Sequence, residues 1–172
     1  MKRILIIAAL MLAATSCGKL PDSSTTARSA IDPCKLVMAD EASAAIGEQV
    51  GAAKRENNNP DLLCSYANDA TGHSVSVTIN KGKGAKNAFK GVNSMIAHDT
   101  NMDDLGDEAF ISKTRAIHVL IGDAYLAIKI TDDSPLAMPK IEGLHQAAGS
   151  TELPQATRDK LTAMARKAIS RL

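Results

Sequence analysis

Residues 73–80, HSVSVTIN, set Val75, Val77 and Ile79 against Ser74, Ser76 and Thr78. A period of two puts the branched apolar side chains on one side of an extended strand and the hydroxyls on the other, so this segment needs a sheet with one buried face. Three more strand-like stretches follow at 109–113 (AFISK), 116–122 (AIHVLIG) and 123–131 (DAYLAIKIT), the last two joined by a tight Gly122-Asp123 turn. LLCSYAN (62–68) reads as a further strand after the turn-rich NNNPD (57–61), and QVGAAKREN (49–57) as a modest one.

Helical signals stand at the start, middle and end of the same region. Asp40 is placed to cap a short helix over 40–46, and Gly47 supplies a left-handed stop. Ala85 to Ala97 carries Ala85, Ala88, Phe89, Val92, Met95 and Ile96 on one stripe. Residues 132–152, with Pro135, Pro139, Gly143 and Gly149, read as irregular, with a turn of helix around 141–147. From Pro154 to Leu172 the period is again helical, with Leu153, Thr157, Leu161, Met164, Ala165, Ala168, Ile169 and Leu172 on the inner side. Arg158, Lys160, Arg166, Lys167 and Arg171 fall largely outside. Hairpin-joined strands with flanking helices predict an α+β domain, an antiparallel sheet covered by helices. Tyr66, Phe89, Phe110 and Tyr125 are the only aromatic residues, so the core must be aliphatic and alanine-filled.

The amino terminus is organised differently. Lys2 and Arg3 precede an apolar run from Ile4 to Ala14, and small residues Thr15-Ser16 follow, the layout of a secretory signal. Eleven apolar residues rise only about 16 Å as a helix, roughly half a bilayer core, so a permanent span is the poorer reading. Ala14-Thr15-Ser16-Cys17 resembles a bacterial lipobox, in which the cysteine sulfur receives diacylglycerol before cleavage. This divides the chain into a signal over 1–16, a lipidated terminus and flexible tether over 17–31, and one domain over 32–172. In the sorting rule of Gram-negative lipoproteins, Gly18 favours the periplasmic face of the outer membrane over the inner membrane. Cleavage before Cys17 leaves 156 of the 172 residues and removes Lys2 and Arg3, so 18 basic residues face 19 acidic ones. That balance offers no global field to hold nucleic acid.

With Cys17 acylated, Cys34 and Cys64 form an even pair in an oxidising compartment, and one disulfide is the simplest assignment. A redox or metal pair is the other reading; the chain has no C-x-x-C and no nearby histidine at ligand spacing.

Asp32-Pro33-Cys34, Leu36, Ala44-Ala45-Ile46-Gly47, Cys64-Ser65-Tyr66 and Leu105-Gly106-Asp107-Glu108-Ala109-Phe110, taken in order with the C-terminal helix, resemble uncharacterised secreted lipoprotein families with a DPC…L…G…CSW…GLGDEAF layout. Tyr66 stands where those families usually carry tryptophan. The resemblance implies a Cys34–Cys64 disulfide and a fold similar to the PsbP-like α/β sandwich, with the sheet between helices. It brings no catalytic residues.

Two stretches carry ligand chemistry. In DTNMDDLGDE (99–108), Asp99, Asn101 and Asp103 occupy alternate positions as in a calcium loop, but the sixth place is Asp104, the twelfth is Phe110, and Gly106 comes two residues late. They are a candidate weak cation site, weighed against a solvated acidic turn in which Gly106 serves backbone geometry. In INKGKGAKNAF (79–89), Lys81, Lys83 and Lys86 surround a helix start and form a candidate anion site, weighed against an exposed basic turn. Nucleotide-loop spacing is absent. His73, His98, His118 and His145 are scattered, with no hydrolase motif around them. No cofactor is implied. The expectation is a non-enzymatic lipoprotein of the cell envelope, held on its membrane by the lipid, that binds an envelope or periplasmic protein, an immunity or inhibitor protein being one concrete form. The alternative is a small-molecule or lipid carrier with a pocket between sheet and helices; a hydrolase using carboxylates of the 99–108 loop ranks below both.

Overall fold

The structure, a computed structural model, describes residues 31–132 and 152–172. The signal segment expected over 1–16, Cys17, the expected tether up to residue 30, His145 and the helical turn expected around 141–147 lie outside the described residues.

Among the described residues the first element is a 3-10 turn at Pro33–Lys35, followed by α1 (Ala39–Ile46), β1 (Lys54–Asn58), β2 (Asp61–Ala67) and β3 (Ser74–Lys81). Next come α2 (Ala85–Met95), β4 (His98–Asn101), β5 (Glu108–Ser112), β6 (Ala116–Ile121), β7 (Ala124–Thr131) and α3 (Gln155–Ile169). The strands form one seven-stranded sheet in the order β1-β2-β3-β7-β6-β5-β4, every pair antiparallel. This is the expected α+β class.

Alternation decides which layer each side chain enters. Val75, Val77 and Ile79 of β3 share a face with Ile117 and Val119 of β6 and with Leu126, Ile128 and Ile130 of β7. Against them pack Ala42 and Ala45 of α1, and Leu161, Met164, Ala165 and Ala168 of α3. On the opposite face a smaller cluster joins Ala85 and Phe89 of α2 to Phe110, Leu120 and Tyr125. The sheet therefore runs between α1 and α3 on one side and α2 on the other. Each fully buried Val, Leu or Ile contributes roughly 1.5–3 kcal/mol, so the larger core supplies most of the driving force.

The disulfide joins Cys34 of the 3-10 turn to Cys64 of β2, with 5.1 Å between Cα atoms. Beside it the Tyr66 hydroxyl lies 2.7 Å from the Val37 carbonyl and 3.0 Å from that of Cys34, and donates to one at a time. The chain before α1 is thus fixed to β2 by a covalent bond and by a buried phenol.

Several sequence expectations need correction. Helix α1 starts at Ala39, and Asp40 sits in its first turn; the Glu41 carboxylate caps instead, accepting the Met38 N–H at 3.0 Å. Gly47 does close the helix at φ +79°. The strand expected over 49–57 begins only at Lys54, because Val50 is drawn under α1, where its N–H meets Ser43 Oγ, and Gly51 bonds the Ala67 carbonyl. Met95 and Leu172, assigned to apolar stripes, are 79% and 40% exposed, since they stand at or past the last turns of their helices. Strand β4 overlaps the start of the acidic stretch, where no apolar alternation marks a strand.

Candidate functional site

The last turns of α2, the edge strand β4, the start of β5 and the loop between these strands enclose a cleft of about 330 Å3. Phe89 and Asn93 reach it from α2, one turn apart on the same helix face. His98 and Asn101 come from β4, Glu108 and Phe110 from β5, and Asp103 and Asp107 from the loop.

Its floor is a stack of rings that crosses the sheet. His98 lies on Phe110 at 4.1 Å, and Phe110 on His118 at 4.7 Å, with interplanar angles of 19° and 21°. Tyr125 continues the row 6.1 Å beyond His118, and Phe89 meets Phe110 and Tyr125 edge-on from above. Register makes the row possible: Phe110 pairs with His118 across β5 and β6, and Tyr125 with Leu120 across β6 and β7. Edge-to-face and offset ring pairs add about 0.5–1.5 kcal/mol each beyond their burial.

Polar contacts hold the same rings in place. His98 Nε2 donates to the Asn93 carbonyl at 3.0 Å, joining β4 to α2, and Nδ1 lies 3.2 Å from the Asn101 side-chain amide. Tyr125 and His118 share a hydrogen bond between the hydroxyl and Nδ1 at 2.8 Å, in which a neutral imidazole serves as donor or acceptor according to its tautomer. Burial enforces that neutrality, pushing His118 down to about 4, with a smaller contribution from His98. Burial likewise pushes Tyr125 up to about 12, helped by the Asp61 carboxylate.

The rim is acidic. Asp107 accepts the Gly122 N–H at 2.6 Å, and its own N–H donates to the Leu120 carbonyl, so the loop is fastened to β6 and the turn after it. Gly106 permits this approach: at φ +68°, an added Cβ would lie 2.5 Å from the Leu120 oxygen. Asp103 and Glu108 are exposed at the mouth. Carboxylates around an aromatic floor suit a basic group, drawn by charge at the rim and by stacking below.

The residues expected to form a cation site do not converge. The Asp99 side chain is fully buried toward α3, where it accepts the Leu153 N–H at 2.8 Å and stands 3.6 Å from Arg158 Nε. Asn101 turns to His98, and a bulge between His98 and Thr100 breaks the alternation that suggested the site. Of the three, Asn101 and Asp103 border the cleft. Among the described residues no group of three or more His, Cys, Asp or Glu could hold a metal ion. Lys81, Lys83 and Lys86 sit exposed at the junction of β3 and α2, where no side chain caps the helix. The ring stack was missed because it depends on which strands are neighbours. Phe110 was legible as apolar, whereas His118 needed the register of β5 on β6 before it became its partner.

No family model matches the chain, and neither do curated proteins or solved structures.

Proposed function

We propose that this chain is a lipid-anchored protein of the bacterial cell envelope and works there as a non-enzymatic binding module, its acidic cleft receiving a basic side chain of an envelope or periplasmic protein. The observation that carries the reading is the cleft itself: exposed Asp103 and Glu108 at the mouth, a fastened Asp107, and the stacked His98 and Phe110 beneath. A basic residue entering it gains charge complementarity, which favours encounter rate and specificity. The Ala14-Thr15-Ser16-Cys17 segment supports the anchor, since two or more acyl chains hold a protein stably on a bilayer, and Gly18 supports the outer membrane. Tethering raises the local concentration of a partner on the same surface without new contacts. The most specific form of the proposal is an immunity or inhibitor protein that blocks a cell-wall-directed toxin or hydrolase.

The test places a photo-crosslinking side chain at Asn101, beside the cleft, and at Lys54 in β1 on the other edge of the sheet, in the full chain expressed in the envelope. The expected result is one discrete crosslinked species from position 101 only, lost when Asp103→Lys and Glu108→Lys are combined. Equal patterns from both positions, or indifference to the charge reversal, would refute the cleft as the binding surface. Intact mass of the membrane-extracted protein tests the anchor independently: it should begin at an acylated Cys17, and a free thiol there would refute it.

A further inference from the structure

Arg115 is the largest of the fully buried side chains among the described residues, 1% exposed, and sits at the end of the hairpin turn between β5 and β6. Its backbone is pinned on both sides: the N–H donates to the Ser112 carbonyl at 3.1 Å, and its carbonyl accepts the Ile130 N–H at 3.0 Å. The residue holds φ +60°, a conformation that glycine or asparagine adopts at lower cost. A turn selected for backbone geometry alone would not carry a guanidinium here, so the side chain offsets the strain in some other way.

One end of that side chain is accounted for. Nη1 pairs with the Asp132 carboxylate and donates to the Asp132 carbonyl at 3.2 Å. Nε and Nη2 are covered and have no hydrogen-bond partner among the described residues. Burying such donors unmade is costly, and native structures rarely leave them so. Nε and Nη2 form the side edge of the guanidinium, the fork that takes two oxygens of one oxyanion. Lysine would serve a one-point contact to Asp132 equally well; the unused fork is what distinguishes arginine at this position.

We propose that Arg115 is an anion site, its Nε–Nη2 edge taking two oxygens of a small oxyanion, phosphate or carboxylate, while Nη1 stays on Asp132. Because both nitrogens are covered, the bound anion is enclosed. The site lies apart from the acidic cleft and does not depend on the lipid anchor.

Equilibrium dialysis of the full chain against radiolabelled inorganic phosphate, and separately against radiolabelled acetate, at ionic strength matched with chloride, tests it. The expected result is a single saturable equivalent of at least one of the two, with the thermal midpoint rising by about 5–10 °C at a hundredfold excess over Kd. Binding of phosphate alone assigns a tetrahedral anion, and binding of acetate alone a carboxylate. Binding of neither up to about 20 mM overturns the proposal, on the affinity scale where such a site would be empty. Arg115→Lys keeps the charge and removes the fork, and should weaken binding at least tenfold; unchanged affinity overturns it. Should that variant fail to fold, Asp132→Asn provides the second reading, since removing the competing carboxylate should tighten anion binding about tenfold. A weaker or unchanged affinity in Asp132→Asn overturns the proposal as well.

Discussion

Replacing Gly106 by alanine puts a methyl group 2.5 Å from the Leu120 carbonyl oxygen, 2.7 Å from Val119 Cγ1 and 3.0 Å from Ile121 Cγ1. Two costs add. The left-handed backbone at φ +68° costs alanine about 1 kcal/mol relative to glycine. Overpacking adds about 1–3 kcal/mol, because the nearest obstacle is backbone and cannot rotate away. Leu120 is held in the sheet between Glu108 on β5 and Tyr125 on β7, and its carbonyl already accepts the Asp107 N–H. The expected loss is therefore about 2–4 kcal/mol. Gly122→Ala separates the two costs: at φ +57°, with nothing within 4 Å of the new Cβ, it should lose only about 1 kcal/mol. Urea denaturation of both variants, read as a fall in the midpoint at constant slope, measures each loss. If the two losses agree within about 0.5 kcal/mol, the close approach of the 103–108 loop to β6 is not what glycine serves at position 106.

Other expectations follow from the same geometry. Replacing Cys34 and Cys64 together by serine opens a loop with a sequence separation of 30 and should cost about 3–4 kcal/mol on the chain-entropy account, read by urea unfolding against the oxidised protein. Glu41 is held at about 2, below its ordinary 4.5, first by the Arg171 guanidinium, then by the Met38 N–H and Lys167, with burial opposing. Its contribution is therefore present above pH 4.5 and lost as pH falls toward 2, and Glu41→Gln should remove about 1–2 kcal/mol at pH 7 once solvent screening around the exposed Lys167 is allowed for. His118 is pushed down to about 4 by burial, so between pH 6.5 and 4 the unfolded chain takes up a proton that the folded chain refuses. Stability should fall as pH drops through that window, and His118→Gln should flatten the fall; an unaltered pH profile of the urea midpoint would refute the buried neutral imidazole. Spectrophotometric titration of the two tyrosines should place Tyr125 at about 12, displaced from the ordinary phenol value by its burial.

Strand β3 and the helices among the described residues were legible because each buries mainly one face, and a single buried face writes its period into the sequence, whereas β5, β6 and β7, with side chains in both cores, were legible as short apolar runs bounded by turns. The pairing of Cys34 with Cys64 was legible by count on the expectation that Cys17 is acylated. Strand β4 was not: HDTN has no apolar alternation, and it stays in the sheet through contacts made far along the chain, Asp99 with Leu153 and Thr100 with Arg158. Residue type marks a helix start only to within a residue or so, so Asp40 and Glu41 are both plausible caps by sequence, and the structure uses Glu41.

By itself the sequence determined an antiparallel α+β domain stapled by one disulfide, since periodicity and cysteine count are properties of a chain read along its length. Only the tertiary structure decided that His98, Phe110, His118 and Tyr125 form one row, that Asp99 faces α3 while Asp103 borders the cleft, and that Arg115 is buried with its fork unpartnered among the described residues. Those arrangements depend on strand order and register, which bring together side chains dozens of residues apart, and no local pattern encodes which strand will lie beside which.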